Sequence, residues 1–171
     1  MEGGLTIIKA GVSSGFSVEA QLETSYTIPY FAYGSNMNFA QMAGRCPGAM
    51  FIGPAFLPGF CFRIYSDGYA TVLPDPQGGV WGGFWKVNAG HLEELDRYEG
   101  VREGCYYRLE KEVSLLSGAS GVGPTQQSWV YFATDTETGM ARPGYMEGVI
   151  AGARDCGLPV EYLPVLQQWQ P

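Results

Sequence analysis

Ile28-Pro29-Tyr30-Phe31-Ala32-Tyr33-Gly34-Ser35-Asn36 is the stretch on which the fold turns. Its first five residues form an apolar, aromatic run, which predicts a strand. The last four make a tight corner rich in hydrogen-bonding groups. Gly34 lets the main chain turn sharply and lets another group approach it closely. Ser35 or Asn36 can cap a helix that follows, whose first-turn N–H groups would then point at whatever sits above the strand. Taken alone, the corner also reads as an ordinary capped turn with no function.

Working outward, residues 38–43 suit a short helix closed by Gly44 and stopped by Pro47. Residues 49–65 read as strand, corner, strand around Gly53, Pro54, Pro58 and Gly59. Residues 70–73 and 80–87 are two further strands with 75–79 as their turn. Residues 89–98 form a helix with Leu92 and Leu95 facing inward. Residues 105–116 and 128–134 are strands separated by a Gly/Ser-rich linker at 117–127. A helix over 144–156 stops at Gly157-Leu158-Pro159, and a short helix over 161–169 ends the chain. The pattern predicts an α+β domain, a mixed barrel-like sheet of about six or seven strands with helices inserted between them. That domain spans residues 25–171, and residues 1–24 form an N-terminal extension without a sustained period.

Composition narrows the function. Ten basic against 17 acidic residues leave a net charge of −7 with no Lys/Arg cluster, which argues against a nucleic-acid or anionic-membrane partner. No apolar run approaches the ~18 residues of a membrane span, and the first residues lack the basic and apolar regions of a signal peptide. Cys46, Cys61, Cys105 and Cys156 are widely spaced without a C-x-x-C pair. They read as reduced core residues of a cytoplasmic protein rather than disulfides or metal ligands.

Most catalytic apparatus is missing from the pattern. His91 is the only histidine, early in a helix beside Glu93 and Glu94, and reads as a surface residue. A hydrolase using Cys46 or Cys105 with His91 is a weak alternative. No motif predicts a metal site, a cofactor or a phosphate loop. What remains is backbone donors and one acid. Leu95-Asp96-Arg97-Tyr98-Glu99-Gly100 places Glu99 where the helix stops. A carboxylate there opposes the helix dipole by about 0.3–1 kcal/mol, whereas Lys or Arg would suit it. Glu99 is either an exposed acid on a charged helix or, if partly buried, a proton acceptor with a raised pKa.

These residues together resemble the γ-glutamylcyclotransferase family. The resemblance is carried in order by 31–36, Val80-Trp81-Gly82, Leu95-Asp96-x-x-Glu99-Gly100-Val101, Gly104-Cys105-Tyr106 and Gly157-Leu158-Pro159-x-Glu161-Tyr162, from about Tyr30 to the C-terminus. It implies a small β-barrel and release of 5-oxoproline from a small-molecule γ-glutamyl substrate, with no cofactor and no metal. Glu99 would be the general base and acid. Tyr33, Gly34, Ser35 and Asn36 would form the substrate loop, and Tyr106 and Tyr145 sit where family members carry pocket tyrosines. Met37-Asn38 stands in place of the leucines the resemblance leads one to expect after the loop, a departure that bears on pocket shape and leaves the amine-side specificity open. A non-catalytic binding module on the same scaffold is an alternative, as is a cyclotransferase for another donor: glutathione, a γ-glutamylamine or an antibiotic intermediate. The oligomeric state stays open, with a homodimer compatible with the aromatic-rich surface and the resemblance.

Overall fold

The computed structural model describes residues 26–116, 121 and 123–171, so the extension read over 1–24 and part of the linker lie outside the described residues. Among the described residues, β1 (Ile28–Ala32), β2 (Met50–Ile64), β3 (Ala70–Val87), β4 (Tyr106–Leu115) and β5 (Thr125–Ala133) close into a barrel in the order β1-β3-β2-β4-β5. β1 runs antiparallel to β3, with Ile28 opposite Val87 and Ala32 opposite Gly83. It closes the barrel in parallel with β5, Tyr30 facing Trp129. The other pairs are antiparallel, so the sheet is mixed, as the α+β reading expects. Tyr30, Phe31 and Ala32 are all buried, which is why β1 is a continuous apolar run and not an alternation.

Five strands replace the expected six or seven, because the Pro and Gly breakers are absorbed as bulges. Between the pairs Pro58–Gly79 and Phe60–Pro74 the ladder shifts register, so residues 75–78 leave the pairing while both strands continue. A second shift separates Phe51 from Gly53. A bulge bends a strand without ending it, so two long strands take the place of four short ones. β5 also begins at Thr125, ahead of the predicted 128.

Among the described residues, four helices pack on the barrel: α1 (Phe39–Arg45), α2 (Ala89–Tyr98), α3 (Tyr145–Asp155) and α4 (Leu163–Gln167). One 3-10 turn, Ser35–Met37, precedes α1, and another, Val160–Tyr162, takes the first part of the helix expected over 161–169. Gly44 lies inside α1 and does not close it. The cap of α1 is Asn38, whose side chain accepts from the Gln41 N–H at 3.0 Å, so neither Ser35 nor Asn36 has the expected capping role. The 3-10 turn adds the residues that move the cap downstream. His91 is also not a surface residue: it is 8% exposed, on the same helix face as Leu95 four positions on, with its ring 5.6 Å from that of Tyr26. Phe31, Phe62, Phe84, Leu57, Ile64, Val72 and Val80 are among the largest fully buried residues of the one hydrophobic core.

Candidate active site

Glu99 owes its place to how α2 begins and ends. The Asn88 side chain accepts from the His91 N–H at 2.8 Å, and Leu92 and Leu95 are buried, Leu95 within the hydrophobic core. At the other end the Val101 N–H bonds the Asp96 carbonyl at 3.0 Å and the Gly100 N–H bonds that of Arg97 at 3.3 Å. Gly100 adopts φ +63°, completing the reversal that satisfies the last carbonyls; a side chain there would be strained. The Asp96 carboxylate anchors this helix end. It accepts from Arg108 Nε at 2.8 Å and Nη2 at 3.2 Å, on β4, and from the Tyr131 hydroxyl at 2.7 Å, on β5.

Glu99 is thereby held against a small cavity at the barrel mouth, lined by Tyr30, Phe31, Tyr33, Gly34, Ser35, Asn36, Ala70, Glu99, Tyr106, Tyr131 and Tyr145. All seven residues singled out from the sequence are in that set. Its volume is about 30 Å³, and it adjoins a vestibule of about 360 Å³. Ser35, Glu99, Tyr106 and Tyr145 line both compartments, so the two make one cleft. A ligand larger than a water or two must span them.

The polar contacts inside are specific. Glu99 Oε1 accepts from Asn36 Nδ2 at 2.9 Å, and the same nitrogen lies 2.8 Å from the Tyr30 hydroxyl. Asn36 Oδ1 accepts from Arg45 Nη1 at 2.6 Å. The Tyr106 hydroxyl donates to the Ala70 carbonyl at 2.6 Å, and the Tyr145 hydroxyl accepts from the Ala70 N–H at 3.1 Å, so two pocket tyrosines grip one residue at the start of β3. Tyr33 turns its hydroxyl to the Tyr131 carbonyl at 2.7 Å. A Cβ on Gly34 would sit 3.2 Å from both the Ala70 Cβ and the Tyr145 hydroxyl; glycine is what lets the loop approach β3 and α3 this closely.

Burial drives the electrostatics. It pushes the Glu99 carboxyl above its ordinary value, while the Arg45 charge and the Asn36 N–H pull it part of the way back. Burial, reinforced by the Glu99 charge, also raises the phenols of Tyr30, Tyr33, Tyr106 and Tyr145, so these groups are neutral near pH 7. The inner cavity therefore holds one carboxyl poised to take a proton, with neutral dipoles around it, while Asp67 and Arg45 line the vestibule.

The Cys–His arrangement does not assemble. The Cys46 thiol lies 3.8 Å from the main-chain carbonyl of His91, burial pushes it up to about 11, and His91 lines neither compartment. The four cysteines are free. Among the described residues no three His, Cys, Asp or Glu side chains gather as metal ligands, and no helix is long and apolar enough to cross a membrane.

Sequence reasoning missed Tyr30, Tyr131 and Arg45. The tyrosines look like core residues of their strands. Arg45 sits in the last turn of a helix, where a cation is expected for dipole reasons alone.

Comparison with known proteins gives a consistent result. The model of the AIG2-like family matches residues 79–166. A Bos taurus protein named gamma-glutamylcyclotransferase is 34% identical over 152 residues, covering 83% of this chain and 78% of the relative. The Homo sapiens protein of the same name matches with the same identity and coverage. A solved structure named gamma-glutamyl cyclotransferase superposes with a TM-score of 0.76 at 32% identity, covering 84% of this chain and 88% of that one.

Proposed function

This chain belongs to the AIG2-like, γ-glutamylcyclotransferase family, and from that premise we propose that it releases 5-oxoproline from γ-glutamyl compounds, with Glu99 as the single acid–base group. The observation that carries the assignment is the Glu99 carboxylate, partly buried at the barrel mouth, hydrogen-bonded to the very loop that would hold the substrate.

The substrate supplies its own nucleophile. Its α-nitrogen attacks its own γ-carbonyl, a C–N bond closes the five-membered ring, and the C–N bond to the leaving amine breaks. An α-ammonium sheds two protons on becoming the ring N–H, and the amide nitrogen gains two on departing as an ammonium. Glu99 relays these protons and ends in its starting state. Folding the substrate so that amine and carbonyl meet exploits an effective molarity of ~10⁵–10⁸ M, worth ~7–11 kcal/mol.

Protonation is the obstacle. An α-ammonium with pKa ~8 and an unperturbed Glu at ~4.3 differ by about 3.7 units, about 5 kcal/mol at ~1.36 kcal/mol per unit. Burial of Glu99 narrows that gap from the carboxyl side. Backbone N–H groups of residues 34–36 and the tyrosine dipoles would steady the oxyanion or the substrate α-carboxylate, and the leaving amine would exit through the vestibule. Tyr33, Gly34, Ser35, Asn36, Tyr106 and Tyr145 shape the head-group compartment in this reading. Four free cysteines suit a reducing, cytoplasmic setting.

Incubating the protein with γ-glutamyl amino acids, glutathione and γ-glutamylamines and assaying 5-oxoproline tests the proposal. Release from at least one donor class is expected, and the donor profile names it. No 5-oxoproline from any of them would leave a binding module as the better account.

A further inference from the structure

We infer that Arg45 is a positioning residue that locks the Asn36 side-chain amide in the one orientation presenting N–H, and not oxygen, to Glu99. The inference rests on the acid–base reading of Glu99 given above. An asparagine amide has a donor end and an acceptor end of nearly the same shape, and a half-turn exchanges them. Here two contacts select between them, those with Arg45 and Glu99, because the Tyr30 hydroxyl can either accept or donate. Oδ1 accepts from Arg45 Nη1 at 2.6 Å, while Nδ2 faces Glu99 Oε1 at 2.9 Å and the Tyr30 hydroxyl at 2.8 Å. A half-turn would set the amide N–H against a guanidinium that can only donate and the amide oxygen against a carboxylate that can only accept. Arginine stays charged at all working pH, so the lock does not open by titration.

The lock is itself supported. The Arg45 guanidinium lies 4.6 Å over the ring of Tyr98, the residue before Glu99, which couples the end of α1 to the end of α2. Asn36 is 4% exposed, so its contacts are shielded from competing water. Other groups around Glu99 do not duplicate the cation. Tyr30 and Tyr33 on and after β1, Tyr65 after β2, Tyr106 on β4 and Tyr145 on α3 are phenols that burial keeps neutral. In the vestibule stand the Cys105 thiol after α2, the Asp67 carboxyl and Tyr69 after β2, and Tyr98 at the end of α2, none of them a cation. On α2 itself, Asp96 is engaged by Arg108 and Tyr131, and Arg97 by Glu94. Arg45 is the cation that acts on Glu99.

The test is the pH dependence of kcat for the full chain carrying Arg45→Met and Arg45→Lys, with a γ-glutamyl donor that the wild type turns over. Loss of a charge-assisted bond predicts kcat about tenfold or more lower for Arg45→Met, with the acid limb of the profile moved to higher pH and KM little changed. Arg45→Lys, which keeps a cationic donor, restores most of both. In an Asn36→Ala background, Arg45→Met should lose most of its effect on kcat, leaving only the smaller acid-limb shift of the direct Arg45 charge on Glu99. An unshifted acid limb, a change in KM alone, or a full-size effect in the Asn36→Ala background each overturns the inference; the last would make Arg45 a through-space charge. Should Arg45→Met fail to fold, Arg45→Gln removes the charge with less loss of packing. A wild type that releases no 5-oxoproline would refute the functional reading but not the lock. NMR titration of the Glu99 carboxyl then decides: Arg45→Met must raise its midpoint by more than it does in an Asn36→Ala background, and an unmoved midpoint or equal shifts in the two backgrounds refute the lock.

Discussion

Two glycines of α3 predict opposite outcomes for the same substitution. A Cβ on Gly152 would lie 2.6 Å from the Asn38 backbone nitrogen and 2.7 Å from the Met37 carbonyl carbon, whereas one on Gly148 meets nothing within 4 Å. Ordinary contact is 3.4–4 Å, so Gly152→Ala must push helix and loop apart by about 3.4 − 2.6 = 0.8 Å. The atoms struck are backbone and have no rotamer to yield. Overpacking of this kind costs about 1–3 kcal/mol, against about 1 kcal/mol gained by replacing a helical glycine with alanine. The steric term wins at 152, for a net loss of up to about 2 kcal/mol, or roughly 4–8 °C in Tm at ~2–4 °C per kcal/mol. Activity falls further than stability, because the displaced turn carries Asn36, and a misplacement approaching 1 Å at a reacting centre is worth up to ~10²-fold. Gly148→Ala has only the propensity gain, about 1 kcal/mol and ~2–4 °C, with unchanged turnover. Calorimetric melting and a 5-oxoproline assay on both variants read the pair. A Gly152→Ala protein as stable and active as Gly148→Ala would refute the claim that α3 buttresses the loop.

Other expectations concern single groups. Tyr145→Phe removes the acceptor of the Ala70 N–H and should cost about 1–3 kcal/mol, seen as a lower urea midpoint at unchanged m-value; an unmoved midpoint would mean that bond contributes nothing. Burial raises the Glu99 pKa, so its favourable linkage is complete below the unfolded value of ~4.3 and is lost as pH rises through the higher folded value. Glu99→Gln should therefore melt above the wild type at about pH 8, with the gap closing towards about pH 4, and a gap that widens in acid would reverse the sign. His91 is lowered by burial, so the unfolded chain binds its proton first. Wild-type Tm should drop as pH falls below about 6.5, and His91→Gln should flatten that drop; equal slopes would show that His91 does not titrate with folding.

How much of this was legible in the sequence depends on the range of the forces involved. The 28–36 stretch declared itself because a buried-strand run and a glycine corner are local patterns, and Gly100 marked the end of α2 for the same reason. Pro58-Gly59 and residues 75–79 misled because the same residues that end a strand also permit a bulge, and only pairing with the opposite strand decides which. Asn36 and Asn38 are equally good caps by type; the 3-10 turn Ser35–Met37 takes in Asn36, which leaves Asn38 as the cap and Asn36 free to reach Glu99, 63 positions away. His91 looked solvated because its neighbours Glu93 and Glu94 are, yet helical geometry puts it with Leu95. Arg45 had no signal beyond a favourable helix-end charge. The family resemblance agrees with the comparisons.

Turnover of Glu99→Gln, measured as 5-oxoproline release under saturating γ-glutamyl donor with melting confirmed cooperative, tests the central claim most directly. Deleting the titratable oxygen at constant size should lower kcat by at least ~10²-fold, the lower range for acid–base catalysis. Near-wild-type kcat in that folded variant would contradict the account, since no other carboxyl lines the inner cavity among the described residues.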